Sequence, residues 1–395
     1  MVCNELDELY MDHAICLAQR VRRRSVPNPW VGCVVVPEGT ASRPASLPTS
    51  RPTSLPNPLP TSRDSAPSAS TATSTSNSVL SPIFEGATCP PGGPHAEIVA
   101  LRGALEAGQA NGSTLYTTLE PCSHTGRTPP CVDAIISAGV IRVVIGMIDP
   151  DPNVNGKGIS KLLEAGIEVT TRVCEGKVKE QLAPYVKHRT TGKPWVVLKL
   201  ASTLDGRTAA PDGTSRWITG EAARTDAHQL RAISDAVLVG AGTVRADDPE
   251  LIVRLDDENL ASNPSDPYNP ADPYNPTDAT RRTQPLRVVL GKAPAGAKVH
   301  PALELSGDLG SVLEALGRRG VLQVLVEGGA SVARDFHKAG LVDRYVFYVA
   351  PALFGGDDGR PIFAGAGAAT IDDIWRGKLV SVEQLGDDLR IEVTA

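Results

Sequence analysis

Three side chains that bind soft metals and one acid stand in a fixed order in the first half of the chain. His95 and Glu97 lie in PHAEIVAL, and Cys122 and Cys131 lie in EPCSHTGRTPPC. Zn2+ takes imidazole nitrogen and thiolate, and a catalytic site leaves one of its four positions open. His95, Cys122 and Cys131 offer one nitrogen and two sulfurs, so the expected site keeps a position for water. A metal held this way brings the pKa of that water toward ~7. Glu97 is not needed as a ligand. Its carboxylate is expected to take the water's proton and pass it to a leaving amine. His-x-Glu followed by Pro-Cys is the pattern of zinc deaminases that act on nucleobases. Here SHTGRTPP separates the two cysteines, where the general pattern has two residues. A metal accepts the longer loop because ligation depends on placement in space. A closed structural site would need a fourth protein ligand, for which His124 is the nearest candidate.

The second half carries a looser set. Lys199 interrupts an apolar run, WVVLKLAS, and a buried lysine needs a partner. Asp247 and Glu327 are the expected partners, and such a set can guide a proton while a nicotinamide delivers hydride. EGGAS, at 327–331, leads directly into a helical pattern. Paired glycines before a helix let the backbone close on a phosphate, and the helix N–H groups favour the anion. GAGTVR at 240–245 is not a dinucleotide fingerprint, because Arg245 stands where the third glycine belongs. From these residues alone the chain reads as a zinc amidine deaminase fused to a phosphate-cofactor binder.

The elements that must hold these residues alternate between strand and helix. In the first half a helix is expected over 5–22. Then follow the strand VGCVVVP, its hairpin partner PIFEGAT, the helix HAEIVALRGALEAG and the strand STLYTTLEP. Helix PCVDAIISAG, strand RVVIGMIDP, helix GISKLLEAG and strand IEVTTRV complete it. RTTGKP at 189–194 reads as a joint. The second half restarts with WVVLKLASTLDG, helix EAARTDAHQLRAIS and strand DAVLVGAGT. PLRVVLG, VLQVLVEGG, helix SVARDFHKAG and strand RYVFYVAP follow. Such alternation predicts α/β architecture in both halves. Two stretches interrupt it. Residues 40–82 hold Ser, Thr or Pro at 27 of 43 positions and cannot bury enough apolar surface to order. Residues 255–284 contain DPYNPADPYNP, whose Asp-Pro and Asn-Pro steps favour extended or turn backbone. Both are expected to be tolerated surface insertions.

Composition excludes several functions. The 395 residues exceed one ordinary core, so two domains are expected. A net charge of −6 and 4% aromatic residues argue against a nucleic-acid partner. No apolar run reaches the ~18 residues of a membrane span. The N-terminal stretch mixes acids among its apolar positions, unlike a secretion signal. Seven cysteines, an odd number, argue against a disulfide framework. Cys3, Cys16, Cys33 and Cys174 are expected to be buried small hydrophobes. The expected location is the cytoplasm, and assembly into a homo-oligomer stays open.

SVPNPWVGCVVV, GGPHAEIVAL and LEPCSHTGRTPPC closely resemble the deaminase half of the bacterial bifunctional riboflavin-biosynthesis family, RibD. LKLASTLDGR, GTSRWITG, GAGTVRADDP and VLVEGGASVARDF resemble its reductase half less specifically. The resemblance covers nearly the whole chain apart from the two insertions and a shortened region around 291–318. It implies a cytidine-deaminase-like three-layer α/β/α N-terminal domain and a dihydrofolate-reductase-like α/β C-terminal domain. The implied boundaries are 1–150 for the deaminase, 151–192 for its extension and linker, and 193–395 for the reductase. The implied chemistry has two steps on a small phosphorylated pyrimidine. Zinc-dependent deamination of 2,5-diamino-6-ribosylamino-4(3H)-pyrimidinone 5′-phosphate comes first. NADPH-dependent reduction of the ribosyl chain then gives 5-amino-6-(5-phospho-D-ribitylamino)uracil. The resemblance places Asn28 on the pyrimidine and Arg127 near the substrate phosphate. It places NADPH against Ala201, Trp217, Thr243, Gly329, Ala330, Ser331, Val332, Ala333, Arg334 and Asp335. It places the ribose-phosphate substrate against Lys199, Ser215, Arg231, Asp247, Leu251, Arg254 and Glu327. Many members carry a histidine where this chain has Thr88.

Overall fold

The structure, a computed structural model, describes residues 5–39, 83–124, 129–254 and 284–395. The expectations for 40–82 and for 255–283 therefore lie outside the described residues, as do Cys3 and Arg127.

In the first half, the elements are α1 (Glu5–Ser25), β1 (Gly32–Val36), β2 (Phe84–Ala87), α2 (Ala96–Glu106), β3 (Thr114–Leu119), α3 (Cys131–Ser137), β4 (Arg142–Met147), α4 (Lys157–Glu164), β5 (Glu168–Thr171), α5 (Glu175–Gln181) and α6 (Ala183–Thr191). The sheet order is β2-β1-β3-β4-β5. β1 is antiparallel to both of its neighbours, and β3, β4 and β5 are parallel. β1 reads Gly-Cys-Val-Val-Val and is buried at every residue because helices cover both faces. Two glycines show how close those helices come. A Cβ on Gly32 would stand 1.9 Å from the Ala14 carbonyl oxygen of α1, and one on Gly86 would stand 2.2 Å from the Ala96 carbonyl oxygen of α2. Gly32 pairs with Ala87, so Gly86 points to the opposite face, and α1 and α2 sandwich the sheet.

In the second half, the elements are β6 (Trp195–Thr203), β7 (Arg207–Ala209), α7 (Glu221–Ala232), β8 (Ala236–Gly240), α8 (Ala241–Asp247), β9 (Leu286–Leu290), β10 (Leu303–Leu305), α9 (Leu309–Gly317), β11 (Gln323–Val326), α10 (Ala330–Lys338), β12 (Arg344–Ala350), β13 (Arg360–Pro361), β14 (Lys378–Leu385) and β15 (Asp388–Thr394). The large sheet runs β10-β9-β8-β11-β6-β12-β15-β14. Its first six strands are parallel, and β15 and β14 close it antiparallel. Period-2 alternation divides each strand between two cores. Val196 and Leu198 join Phe336 of α10 and Leu313 of α9, while Val197 joins Leu230 of α7 and Val244 of α8.

The first half sits on the amino ends of these parallel strands. Leu322, just before β11, belongs to the first half's core. Arg22 donates to the Gln323 side chain at 2.6 Å, and Lys187 pairs with Asp343 at 2.5 Å.

Some local expectations are corrected. α6 carries the chain helically to Thr191, so the joint at 189–194 is a helix-to-strand step, with Gly192 at φ 71° ending the helix. The strand expected to run through GAGT stops at Gly240, which caps α8. β10 and α9 occupy the region around 291–318. Cys16 is exposed, because α1 turns Tyr10, Met11, Ala14, Leu17, Ala18 and Val21 inward and Cys16 lies off that stripe. Cys33 is buried and Cys174 is half-buried.

Candidate metal centre and reductase crevice

Three elements deliver the metal-binding side chains. His95 caps α2 in extended backbone, with no capping hydrogen bond from its side chain. Cys122 follows β3, and Cys131 opens α3. The His95 Nδ1 lies 3.6 Å from the Cys122 Sγ and 3.3 Å from the Cys131 Sγ. Tetrahedral zinc with ordinary bond lengths would set nitrogen and sulfur about 3.6 Å apart. The three donor atoms all lie within 4.8 Å of one another. The donor set therefore fits a tetrahedral N/S2 metal with one position to spare. Among the described residues the cluster ends at these three, and His124 is exposed outside it.

Hydrogen bonds from the Cys131 thiol, His95 and the Cys131 backbone amide favour the Cys122 thiolate and lower its pKa. The hydrogen bond to Cys122 and then burial push the Cys131 thiol up, so Cys122 ionises first. Glu97, on the first turn of α2, is 4% exposed. Burial raises its carboxyl to about 7, against the lowering pull of His95. A dication beside it would favour the carboxylate.

Asn28 sits in the turn between α1 and β1, where its backbone N–H donates to the Ser25 carbonyl at 2.8 Å. Among the described residues its side-chain amide has no hydrogen-bond partner. Thr88 is buried, and its hydroxyl bonds both the N–H and the carbonyl of Val31, at 3.0 and 3.4 Å. It ties the hairpin end to Val31.

The second candidate site lies at the carboxyl ends of β6, β8, β11 and β12, where open α/β sheets bind ligands. Glu327 and Gly328 follow β11, and Gly329 caps α10. Gly329 N–H donates to the Thr243 hydroxyl on α8 at 3.2 Å, so these two expected cofactor positions do meet. The amides of Ala330, Ser331 and Val332 are left without helical partners, which suits an anion. The rest of that run divides. Val332 packs beneath Gly328 and Gly240, Ala333 is fully buried in the core, and Arg334 pairs with Asp335 at 2.7 Å.

Arg231 grips Glu327 through two bonds of 2.5 and 2.8 Å, and its third nitrogen donates to the Ile252 carbonyl. Burial alone would raise Glu327, but Arg231 outweighs it and the carboxyl stays below its ordinary value. Lys199 faces the same pair. Burial lowers its pKa, Glu327 opposes and Arg231 adds to the lowering. Asp247, the other expected partner, is instead exposed at the end of α8, where its carbonyl accepts from Arg216. Ala201 lies on β6 opposite Tyr348. Leu251 is buried with φ 54°, a left-handed conformation costing roughly 1–2 kcal/mol. Arg254 is exposed and pairs with Glu250. Ser215 is half-buried, and Trp217 is 68% exposed with the Arg224 guanidinium 4.7 Å from its ring.

Sequence reasoning missed the residues that complete this crevice. The Lys199 ammonium lies 5.7 Å from the Tyr348 ring, and the Tyr348 hydroxyl donates to Asp226 at 2.5 Å. His228, beside Arg231 and Arg254, accepts the Arg254 backbone N–H at 3.2 Å. Only the β12–β6 register and the face of α7 bring these together, so spacing carried no signal.

Comparison with known proteins covers both halves of the chain. Residues 4–147 match a family profile described as the cytidine and deoxycytidylate deaminase zinc-binding region. Residues 194–391 match the RibD C-terminal domain. The riboflavin biosynthesis protein RibD of Escherichia coli is 34% identical over 97% of this chain and 98% of its own. The chain belongs to the RibD family. Two solved structures agree over 98% of both chains. Acinetobacter baumannii RibD has TM-score 0.77 at 35% identity. A Thermotoga maritima protein titled diaminohydroxyphosphoribosylaminopyrimidine deaminase/5-amino-6-(5-phosphoribosylamino)uracil reductase has TM-score 0.74 at 31% identity. As a RibD family member the chain is a bifunctional enzyme of riboflavin biosynthesis, with a zinc-dependent deaminase and an NADPH-dependent reductase. The expected fold classes of both halves hold. Among the described residues no helix is long and apolar enough to cross a membrane.

Proposed function

We propose that His95, Cys122 and Cys131 are the zinc ligands and that Glu97 is the proton carrier of the deaminase. We further propose that the substrate is 2,5-diamino-6-ribosylamino-4(3H)-pyrimidinone 5′-phosphate. The carrying observation is the convergence of one imidazole and two thiols beside a buried carboxylate. Zinc held there supplies Lewis acidity that brings water's pKa toward neutrality. Glu97 accepts the proton of the attacking water and delivers it to the departing 2-amino group. A C–O bond forms at C2, the C–N bond breaks and ammonia leaves. The unengaged amide of Asn28 can donate to and accept from the pyrimidine edge, and Arg127 completes the phosphate contact.

The deaminated product then enters the crevice. NADPH bound there would supply the hydride for the opened ribosyl chain. Thr243 and the backbone of Gly329 to Asp335 orient the cofactor, with Ala201 and Trp217 at its flanks. Ring opening leaves C1′ as an imine; as hydride reaches C1′, Lys199, held beside Glu327, gives the proton to the C1′-bound nitrogen, which makes the ribitylamino group. Arg231, Arg254, Ser215, Asp247 and Leu251 shape the substrate end. We place the boundaries at 1–150, 151–192 and 193–395, supported by the change of sheet between β5 and β6. The partner is a small phosphorylated pyrimidine and the location cytoplasmic. A homo-oligomer is supported by exposed apolar side chains on and near β14, including Leu379, Val382, Ile371 and Trp375.

The test pairs metal analysis with a two-step assay on the purified chain. One zinc per chain, ammonia release from the diaminopyrimidine and NADPH oxidation by the product are expected. Ammonia release from cytidine or adenosine, with none from the diaminopyrimidine, would replace the substrate. No NADPH turnover with authentic product would remove the reductase assignment.

A further inference from the structure

Glu120 belongs to neither proposed mechanism, yet it is among the most deeply buried acids of the chain, 3% exposed. Its carboxylate accepts four backbone N–H groups. One oxygen takes Gly158 at 2.9 Å and Ile159 at 3.3 Å, and the other takes Gly156 at 2.9 Å and Asp149 at 3.3 Å. Its own N–H donates to the Met147 carbonyl at 3.0 Å. One side chain thus gathers the end of β4 and the start of α4. A buried carboxylate is costly unless it is hydrogen-bonded throughout, and these four donors meet that need.

What this gathered segment touches gives the arrangement a use. A Cβ on Gly158 would stand 2.1 Å from the Pro121 carbonyl oxygen, so the start of α4 lies directly on the peptide that precedes Cys122. From the other side, Val132 N–H donates to the Cys122 carbonyl at 3.2 Å, and Cys131 N–H donates to its sulfur at 3.4 Å. Cys122 is therefore pinned between α3 and the segment that Glu120 holds. We propose that Glu120 is a positioning residue that sets Cys122 in ligand geometry by clamping residues 149–159 against Pro121. The inference rests on the zinc ligand set proposed above. Outer partners of metal ligands typically change metal affinity 10–100-fold when altered.

Glu120→Gln tests it. The amide keeps the shape but turns an NH2 toward two backbone donors. The zinc dissociation constant should rise by about 10–100-fold. The visible absorption bands of the cobalt(II)-substituted chain should shift, while reductase turnover in the same chain stays within about twofold of the parent. An unchanged zinc affinity together with an unchanged cobalt spectrum overturns the proposal, even if deamination falls. Hydrogen exchange on the parent tests it without a variant, should Glu120→Gln fail to fold. Chelating the zinc should speed exchange of the Gly156, Gly158 and Ile159 amides at least about tenfold, with the β6 amides unaffected. Equal exchange with and without zinc overturns the proposal. A parent chain that holds no zinc overturns the ligand set and this inference together. A zinc-holding parent beside an indifferent variant overturns this inference alone.

Discussion

The two sites of this chain are built on opposite plans. The metal centre draws its donors from two helix starts and one loop, and a single ion can hold all three. The crevice has no such focus. Its polar groups come from β6, α7, α8, β11 and β12, and they are fixed by pairs: Arg231 with Glu327, Tyr348 with Asp226, Gly329 with Thr243. The first plan tolerates long sequence gaps, since the ion selects geometry. The second depends on sheet register, since a one-residue slip would turn every side chain to the other face.

The plans predict different failures. Glu97→Gln should lower deamination by about 10²–10⁴-fold, the usual worth of a positioned proton carrier. Zinc content should stay at one per chain, because Glu97 lies outside the donor cluster. Zinc lost in step with activity would make Glu97 a ligand and break the separation of roles. Reductase turnover should not change. Lys199→Met should do the converse. It should cut reductase kcat by about 10²-fold and leave ammonia release untouched. Because the bidentate Arg231–Glu327 pair remains, KM for the phosphorylated substrate should move far less than kcat. A KM effect that dominates would make Lys199 a binding group.

These plans explain what the sequence revealed. Metals choose donor types, so the meeting of His95, Cys122 and Cys131 was legible from identity and order alone. The place of Glu97 beside them was legible because it rides on the helix that His95 caps. The central strands were readable from their apolar runs, since helices cover both of their faces; the exposed β14 was not. Tyr348 was not readable. It meets Lys199 because β12 lies beside β6 with Ala201 opposite Tyr348, and one sequence does not print that register. Asp247 seemed as good a partner as Glu327 by residue type, and only the direction of α8 separates them. α5 and α6 went unassigned because EGKVKEQ and APYVKHRTT show no clean apolar stripe. Cys16 was misjudged by residue type although the helical period of its neighbours would have turned it outward.

The two stretches expected to be insertions sharpen the comparison at lower energy, because each half carries one. Val35 already pairs with Phe84 across the β1–β2 hairpin. At the second insertion, Val253 N–H donates to the Gln284 side chain at 2.7 Å. Replacing residues 40–82 with a four-residue turn shortens the connection between β1 and β2 about sixfold, and loop-closure entropy then stabilises the first half by about 1.5 kcal/mol. Urea unfolding should show that gain, with both activities within about threefold of the parent. A deaminase loss beyond that, with the reductase intact, would make the segment part of the metal-centre plan.

The smallest expected effect is a difference in sign between the halves. Asp149 is buried beside Tyr185, and burial raises its pKa to about 6. The folded state then binds that proton more tightly than the unfolded chain, so the first half loses stability as pH rises from about 4 to about 6. His228 runs the other way. Burial, then Arg231 and Arg254, hold it at about 4. The unfolded chain binds its proton more tightly, so stability in the second half falls as pH drops from about 6.5 to about 4. His228 is partly buried, so solvent screening holds its slope to on the order of 1 kcal/mol or less. Asp149→Asn and His228→Gln should therefore change the urea stability of the zinc-loaded chain oppositely across this window. The first variant gains relative to the parent toward pH 6, and the second gains toward pH 4. Parallel curves would mean that the two buried groups see the same environment, which the crevice's arginines and the acid-rich loop at Asp149 do not allow.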